Sequence, residues 1–477
     1  MFGSALNHRK SVTIPLLSLC AACAPLLLAI GFFASEPAQA LPLHNIRAIP
    51  AFARKYGLPC SACHTAWPEL NNFGQVFRDN GYQLGNDRDS PIYQHPSYFP
   101  ITFRVTPNWH RESTNHQPID AIPGDATSGL VEGKVIQSGF DLSGVDIWTA
   151  GTLYKNISFS LLPSADSNGN FHFENAFVRF DNLKTRWLNV KAGKFELDNL
   201  ISEKRFLFLS ANGGIYQSYH FVPVGDSNTF GLGDNQLGVE VSGHSVNSYT
   251  RYSVAVLSSN DGNAGLPSGR SYDSYVTISQ AFDLGKLGLQ RFGAYAYAGR
   301  RPTFSQTADG TAIAGTGLGN KPFYRAGFSG DLFLGKFELL PFFMHGHDDV
   351  YLGTSTAANQ PLPSGARAPT WNSGFIETHY YANTRLVLTG RYEIIRMSQQ
   401  SLLSSPTNQG NIDAYSAGFR WYPFMFSRAG LAWHTEYSIV KTIGAIPLGG
   451  NGSGLAPLFP MQPVWSSSVF AGFDFAF

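Results

Sequence analysis

Two cysteines and a histidine lie close together near the start of the chain, in Cys60-Ser61-Ala62-Cys63-His64. This C-x-x-C-H spacing is typical of covalent c-type haem attachment. Two thiols three positions apart on a turn can reach the two vinyl groups of one porphyrin, and the adjacent imidazole can ligate its iron. We therefore predict that Cys60 and Cys63 attach one haem c and that His64 is an axial ligand of the iron.

Other chemistry explains the same motif less completely. A structural zinc site needs four ligands, and no second cysteine pair follows. A thioredoxin-like redox pair belongs in a βαβ context, which the sequence does not show. A disulfide between the two cysteines is an alternative in an oxidising compartment, but it gives His64 no role. The distal iron ligand stays open: His44 and His95 are the nearby candidates, and the position could also be empty or hold water.

A short helix is predicted directly after the motif, ending at Gly81 as the C′ residue. Its apolar face repeats at helical spacing and consists of Leu70, Phe73, Val76 and Phe77. We interpret this face as cover for the porphyrin. Residues 41–95 are thus predicted to form a monohaem cytochrome c domain, which is too small to bury much core without its haem.

Residues 1–40 are predicted to be a secretory signal peptide. A basic region at residues 8–10 precedes a long apolar stretch, and Ala38-Gln39-Ala40 forms a cleavage site. An uncleaved helical anchor is the alternative, because the apolar stretch is long enough. Covalent haem attachment of this kind takes place after export, which agrees with the signal peptide.

The composition excludes several classes of protein. Charged residues make up 14 % of the 477 residues and aromatic residues another 14 %, so the chain is too aromatic and too weakly charged to be disordered. The net charge of +1 gives no basic excess, and we predict no nucleic-acid partner. A mean hydropathy of −0.11 excludes a polytopic helical membrane protein, but it suits membrane strands with alternating faces.

Residues 96–477 are predicted to form an outer-membrane β-barrel of about sixteen strands. Segments of about ten alternating residues recur, with charged side chains on one face and aromatic side chains on the other. Their centres are Val105, Asp141, Phe159, Phe177, Lys191, Val239, Val254, Val276, Tyr295, Ala326, Leu340, Glu377, Gly390, Ala417, Trp433 and Phe470. The fold class is therefore mostly β, with a small N-terminal helical haem domain.

The connections between these segments alternate in length, as in outer-membrane barrels with short periplasmic turns and long external loops. Short connections are 181–186, 283–286, 335–336 and 422–427, whereas long ones are 111–133, 198–234, 300–320, 347–370 and 442–462. The last segment alternates up to the terminal Phe477, which resembles the signal read by the outer-membrane assembly machinery of Gram-negative bacteria. We therefore predict export to that membrane and contact with its lipid.

The motif and its flanks, at residues 50–54, 60–64, 68–71 and 81–82, resemble the fused monohaem cytochrome–porins. These are the outer-membrane iron oxidases of iron-oxidising bacteria. The resemblance implies oxidation of extracellular Fe(II) and transfer of the electron to a periplasmic carrier, a cytochrome c or a copper protein. It also implies that Cys60 and Cys63 attach the haem and that His64 binds its iron. The family includes cytochrome–porins whose donor is not established.

A single haem below the membrane could not reach an external donor across a hydrocarbon layer of ~30 Å. The haem domain is therefore expected to fold into the lumen and plug it. The predicted function is an outer-membrane Fe(II):cytochrome c oxidoreductase. The alternatives are a porin-like channel with a haem gate or redox sensor, and an electron conduit for another donor.

Candidate iron contacts lie far along the chain, at the outer end of one predicted strand. His345 and His347 would share a face there, and Asp348 and Asp349 follow. Imidazole and carboxylate groups suit Fe(II). A merely polar strand end is the alternative interpretation.

Overall fold

The computed structural model describes residues 51–84, 101–165, 170–205, 207–223, 226–258, 271–303, 319–399, 410–425, 429–443 and 463–476. The predicted signal peptide, His44, His95 and Phe477 lie outside the described residues. Helices α1 (Ala51–Tyr56) and α2 (Asn72–Asp79) precede the strands, and α3 (Val350–Gly353) lies in a later connection. Within these ranges, no helix is long and apolar enough to cross a membrane.

Sixteen strands of the described chain form one closed antiparallel barrel, in which β1 pairs with β16. The first eight are β1 (Ile101–Asp120), β2 (Leu130–Tyr154), β3 (Ile157–Ala165), β4 (Phe171–Phe180), β5 (Asn189–Glu196), β6 (Asn235–His244), β7 (Thr250–Ser258) and β8 (Tyr272–Asp283). The others are β9 (Leu289–Pro302), β10 (Asn320–Leu334), β11 (Phe337–Asp348), β12 (Thr370–Asn383), β13 (Leu386–Gln399), β14 (Ile412–Met425), β15 (Gly430–Ile443) and β16 (Pro463–Ala476). Each predicted centre lies within its strand, so the predicted mostly β barrel is confirmed.

The barrel wall has polar side chains inside and large apolar side chains outside. Strand β8 illustrates this alternation: Val276 and Ile278 are 46 % and 57 % exposed, whereas Thr277 and Ser279 are 8 % and 7 % exposed. Successive side chains of a strand point to opposite faces, which explains the period of two in the sequence. An apolar outer surface and a polar interior are typical of barrels that face lipid.

The connections lie at two different ends of the barrel. Short turns join β4 to β5, β8 to β9 and β10 to β11, where the sequence predicted them. We call this the short-turn end. The start of β1 and the end of β16 also lie there, because the strand number is even and all pairs are antiparallel. The longer connections lie at the opposite end.

The connection between β5 and β6 corrects one prediction. The sequence predicts an external loop over residues 198–234. The described residues of this connection, 197–205, 207–223 and 226–234, instead fold into the barrel, and we call them the inner loop. Within it, Leu197, Phe208 and Tyr216 are each no more than 1 % exposed. Tyr216 stacks on Phe375 of β12, with ring centroids 4.3 Å apart. The physical reason is the hydrophobic effect: the apolar side chains of the loop are buried against lumen-facing aromatic side chains instead of being exposed to water.

Candidate haem site

The C-x-x-C-H motif forms one tight turn. Cys60–Ala62 is a single turn of 3₁₀ helix, and the carbonyl of Cys60 accepts the backbone N–H groups of Cys63 and His64 at 3.1 and 3.0 Å. The Cys60 side chain is buried, the Cys63 side chain is half-buried, and no disulfide joins them. Burial raises the pKa of both thiols. The turn therefore holds two thiols and one imidazole within five residues.

The hydrogen bonds of His64 determine its tautomer. Its Nδ1 lies 3.2 Å from the carbonyl oxygen of Pro68 and 3.1 Å from that of Glu69. Carbonyl oxygens only accept hydrogen bonds, so Nδ1 carries the proton and Nε2 keeps its lone pair. Burial lowers the pKa of His64 to about 4, although the hydrogen bonds to the two carbonyl groups act in the opposite direction. The imidazole is therefore neutral at neutral pH, in the form that binds metals through Nε2.

Helix α2 packs directly on the motif. The side chain of Asn71 caps the helix by accepting the N–H of Gly74 at 2.9 Å, and it donates to the carbonyl of Ala62 at 3.1 Å. A Cβ atom at position 74 would collide with the carbonyl oxygen of Cys63. Glycine at position 74 therefore allows the close approach of the helix to the second cysteine.

The end of α2 confirms the predicted cap. Gly81 has φ +80, and the N–H of Tyr82 bonds to the carbonyl of Phe77 at 3.0 Å. The N–H of Gly81 bonds to Arg78 at 3.2 Å, which completes a Schellman motif. The predicted apolar face is only partly covered, because Phe77 is buried whereas Phe73 is 45 % exposed.

An aromatic cluster links α1, α2 and the barrel wall. The ring of Phe52 lies 4.9 Å from Phe77, 5.2 Å from Tyr82 and 5.4 Å from Trp148 of β2. Aromatic pairs at such distances contribute about 0.5–1.5 kcal/mol each beyond their buried area. This cluster gives the N-terminal segment, residues 51–84, an apolar contact with the inside of the barrel.

A cavity of about 360 Å³ lies between the N-terminal segment and the barrel wall, and Cys60, Cys63 and His64 all line it. Phe52, Tyr56 and other aromatic side chains form part of its surface. Charged side chains of both signs also line it: the basic ones are Arg78, Arg104, Arg179, Lys191, Lys204, Arg205 and Arg251, and the acidic ones are Asp79, Asp146, Glu196, Asp198 and Glu240. Several of them pair with one another, such as Lys191 with Glu240 at 2.7 Å. The cavity thus combines two thiols, an imidazole lone pair, aromatic walls and paired charges.

A second histidine, His244 at the end of β6, lines the same cavity. Its Nδ1 lies 2.8 Å from the carbonyl oxygen of Ser245, so Nδ1 carries the proton. Its Nε2 is buried and has no hydrogen-bond partner among the described residues. The sequence analysis missed this residue because only the closure of the barrel brings position 244 near positions 60–64.

An ion-pair cluster joins α2, β7 and the inner loop. Arg251 of β7 contacts Asp79 at 2.8 Å and Asp198 of the inner loop at 2.7 Å, and Arg78 contacts Asp198 at 2.9 Å. Burial alone would raise the pKa of Asp79, but the guanidinium groups of Arg251 and Arg78 outweigh burial and hold it well below its usual range. Asp79 is therefore ionised and depends on these cations.

The N-terminal segment also contacts the other side of the barrel. The carbonyl oxygen of Trp67 accepts hydrogen bonds from Arg420 at 3.1 Å and Tyr422 at 2.9 Å, both on β14. Tyr381 of β12 donates to the carboxylate of Glu69 at 2.9 Å. Strands β7 and β14 are seven positions apart in the closed order. The contacts of the segment therefore extend across the lumen.

The inner loop is held by lumen-facing carboxylates. Glu393 of β13 accepts the backbone N–H groups of Gln217 and Ser218 at 2.9 and 2.6 Å. Within the loop, Nε2 of His220 lies 2.6 Å from Glu203. Burial alone would lower the pKa of His220, but the Glu203 carboxylate outweighs it and raises the pKa to about 9. The loop thus contains an ion pair at neutral pH.

The predicted iron contacts do not form one cluster. His345 and His347 share the outer face of β11, where both rings lie near that of Tyr324. Asp348 points into the barrel and pairs with Arg325. The side chain of Asp349 caps α3. Because side chains alternate along the strand, the two imidazoles and the Asp348 carboxylate lie on opposite faces of β11. The Asp349 carboxylate is used to cap α3.

Known structures resemble the chain at low sequence identity. The anion-selective porin from Comamonas acidovorans is 12 % identical, and the match covers 79 % of this chain and 99 % of that one with a TM-score of 0.47. OmpT of Vibrio cholerae is 12 % identical over 79 % of this chain and 98 % of that one, with a TM-score of 0.43. OprB of Pseudomonas putida is 10 % identical over 79 % and 94 %, with a TM-score of 0.44. No protein-family model and no curated protein matches the chain.

Proposed function

We propose that this protein is an outer-membrane electron-transfer cytochrome. It oxidises extracellular Fe(II) through one c-type haem and passes the electron to a periplasmic carrier, a cytochrome c or a copper protein. The observation that carries the proposal is a single luminal cavity lined by Cys60, Cys63 and His64. The hydrogen bonds of His64 support it further, because they leave Nε2 free for a metal.

The residues around this cavity suit a c-type haem. Cys60 and Cys63 would hold it by thioether bonds, and Nε2 of His64 would bind its iron. Nε2 of His244, which has no hydrogen-bond partner among the described residues, would be available as a second iron ligand. Bound haem supplies a one-electron redox centre. The aromatic side chains would shield it from water.

Location in the outer membrane is supported by the outer surface of the barrel. Large apolar side chains such as Phe328, Ile376 and Tyr437 are 59 %, 53 % and 50 % exposed, which is costly in water and favourable in lipid. Strands β8 to β16 contain 12 to 15 residues, enough for the roughly 9–11 residues that a tilted strand needs to span a bilayer.

We further propose that the N-terminal segment plugs the lumen at the short-turn end. Its bonds to Arg251 on β7 and Arg420 on β14 support this. The inner loop fills part of the remaining interior. A donor from outside must therefore enter the lumen to approach the haem, since tunnelling cannot cover a hydrocarbon thickness of ~30 Å. A periplasmic carrier would approach from the short-turn end.

The test is the visible spectrum of the purified mature protein before and after anaerobic addition of Fe(II). We expect a c-type spectrum that converts to the reduced form, and an intact mass that includes one haem. The Cys60→Ala/Cys63→Ala double variant is the matched control and should show neither. A haem-loaded protein that Fe(II) leaves oxidised would contradict iron oxidation, and solute flux through reconstituted vesicles would then favour a haem-gated channel.

A further inference from the structure

Glu69, Glu338 and His379 form a second cluster inside the barrel. One ligand atom from each lies within 4.8 Å of the others. Glu338 on β11 and His379 on β12 are directly paired across the sheet and are 2 % and 1 % exposed. Glu69 follows the C-x-x-C-H motif by five residues. The cluster is therefore made of one residue near the motif and two from the barrel wall.

Both ring nitrogens of His379 lie at hydrogen-bond distance from carboxylates. Its Nε2 lies 2.8 Å from Glu377, which is also 3.4 Å from Arg391. Its Nδ1 faces two carboxylates, with Glu338 at 3.0 Å and Glu69 at 3.4 Å, so it carries a proton between them. A cation that displaced this proton would leave Nε2–H on Glu377 and Nδ1 as a ligand, which is the usual arrangement in metalloproteins.

The cluster also has more negative than positive charge. Within the described residues, the ion pairs of Glu69 and Glu338 are both to His379, so two carboxylates share one imidazole. The hydroxyl of Tyr381 lies at hydrogen-bond distance from both of these carboxylates. Buried charges need compensation by a partner or a metal. A divalent cation would supply the missing positive charge.

We propose that Glu69, Glu338 and His379 bind one divalent transition-metal cation. Two carboxylates and one imidazole suit Mn(II) and Fe(II) better than soft metals. A cavity of about 430 Å³ borders all three residues and has room for a hydrated ion; it is also lined by Asn199 and Ile201 of the inner loop and by Lys286 of the short-turn end.

The site lies next to the proximal histidine of the motif. The backbone carbonyl of Glu69 accepts the Nδ1–H of His64 at 3.1 Å, while its carboxylate belongs to the cation site. One residue thus touches both His64 and the bound cation. In so far as it rests on the proposed function, the inference assigns Fe(II) a binding place that Glu69 alone connects to His64. Cation binding itself does not depend on the haem.

The test is an anaerobic titration of the full mature protein with Mn(II), which is not oxidised there. The electron paramagnetic resonance signal of free Mn(II) reports how much of the cation stays unbound. We expect one bound Mn(II) in the wild type and at least a tenfold weaker affinity in Glu338→Gln and in His379→Gln. Glu112→Gln on β1, whose carboxylate accepts a hydrogen bond from Gln137 at 2.7 Å, is the control and should bind as the wild type does. A wild type that binds no Mn(II), or variants with unchanged affinity, would overturn the proposal.

Two further measurements keep the result interpretable. Glu338→Asp retains a carboxylate and should recover part of the affinity, whereas a merely misfolded barrel would not separate Asp from Gln at this position. The intact mass reports the haem independently. If the purified wild type carries no haem but binds Mn(II), the cation site is supported and the proposed function is refuted. If it carries haem but binds no Mn(II), the cation site is refuted and the proposed function is not affected.

Discussion

Neutralising Asp79 should weaken the attachment of α2 to the barrel. Asp79→Asn removes the carboxylate that Arg251 contacts at 2.8 and 3.3 Å and leaves the guanidinium with Asp198 as its partner. Removing one partner of a buried ion pair costs about 3–5 kcal/mol. Because Arg251 keeps Asp198, we expect the lower end of that range, about 3 kcal/mol.

Hydrogen–deuterium exchange measures this cost at the helix itself. A loss of about 3 kcal/mol raises the population of detached helix roughly 100-fold, so the amides of α2 should exchange about 100-fold faster. The amides of β8 and β9 should not change. Asp283→Asn, which changes an exposed residue at the end of β8, is the control. Exchange of α2 that is equally slow in both variants would refute the role given to this ion pair.

The pH dependence of the same attachment follows from the depressed pKa of Asp79. A carboxyl whose pKa is lower in the folded state contributes stability above its unfolded pKa, near 4, and loses it as the pH falls through the folded value. Protection of α2 should therefore be constant from pH 7 to about 4 and fall below that. In Asp79→Asn this part of the acid dependence should be absent.

Three further predictions concern the cavity and the inner loop. His244→Ala should keep the covalent haem but shift its iron from low spin to high spin, as seen in the visible and electron paramagnetic resonance spectra. Gly74→Ala should lower the haem content per chain, because the collision with the Cys63 carbonyl, about 1–3 kcal/mol, outweighs the helix propensity gained, about 1 kcal/mol. The raised pKa of His220, about 9, makes its ion pair with Glu203 stabilising below pH 6.5 and lost as the pH rises through 9. The protection of the inner-loop amides, measured relative to their intrinsic base-catalysed exchange, should fall over that range, and His220→Gln should remove this fall.

The controls for these variants lie elsewhere on the barrel. His172→Ala changes a half-exposed histidine on β4 and should leave the iron spin state unchanged. Gly139→Ala adds a Cβ atom where nothing lies within 4 Å, so the haem content should remain normal. A spin state that is the same in His244→Ala as in the wild type would exclude His244 as the distal ligand.

The barrel could be predicted from the sequence because every strand residue faces either lipid or the lumen, and its side chain is apolar or polar accordingly. The alternation around Val276 and around Tyr415 is visible without any structure, and its recurrence along the chain predicted about sixteen strands. The same alternation explains why His345 and His347 do not form one cluster with Asp348, since odd and even positions of one strand face opposite sides.

The interior of the barrel could not be predicted in the same way. The inner loop has the length of an external loop, and its aromatic residues, such as Tyr216 and Phe230, were the only indication that it packs inside. His244 and His379 are ordinary strand residues by sequence. Barrel closure alone brings them near residues 60–69, so their roles depend on contacts between positions far apart in the chain.

Electron transfer across a sealed membrane tests the central claim most directly. The mature protein is reconstituted in liposomes that enclose oxidised cytochrome c, with the long connections facing outward, and Fe(II) is added outside. We expect the enclosed cytochrome to be reduced by the wild type and to stay oxidised with Cys60→Ala/Cys63→Ala. Enclosed cytochrome that stays oxidised with haem-loaded wild type, or wild-type liposomes that leak small sugars as an open porin does, would contradict the account.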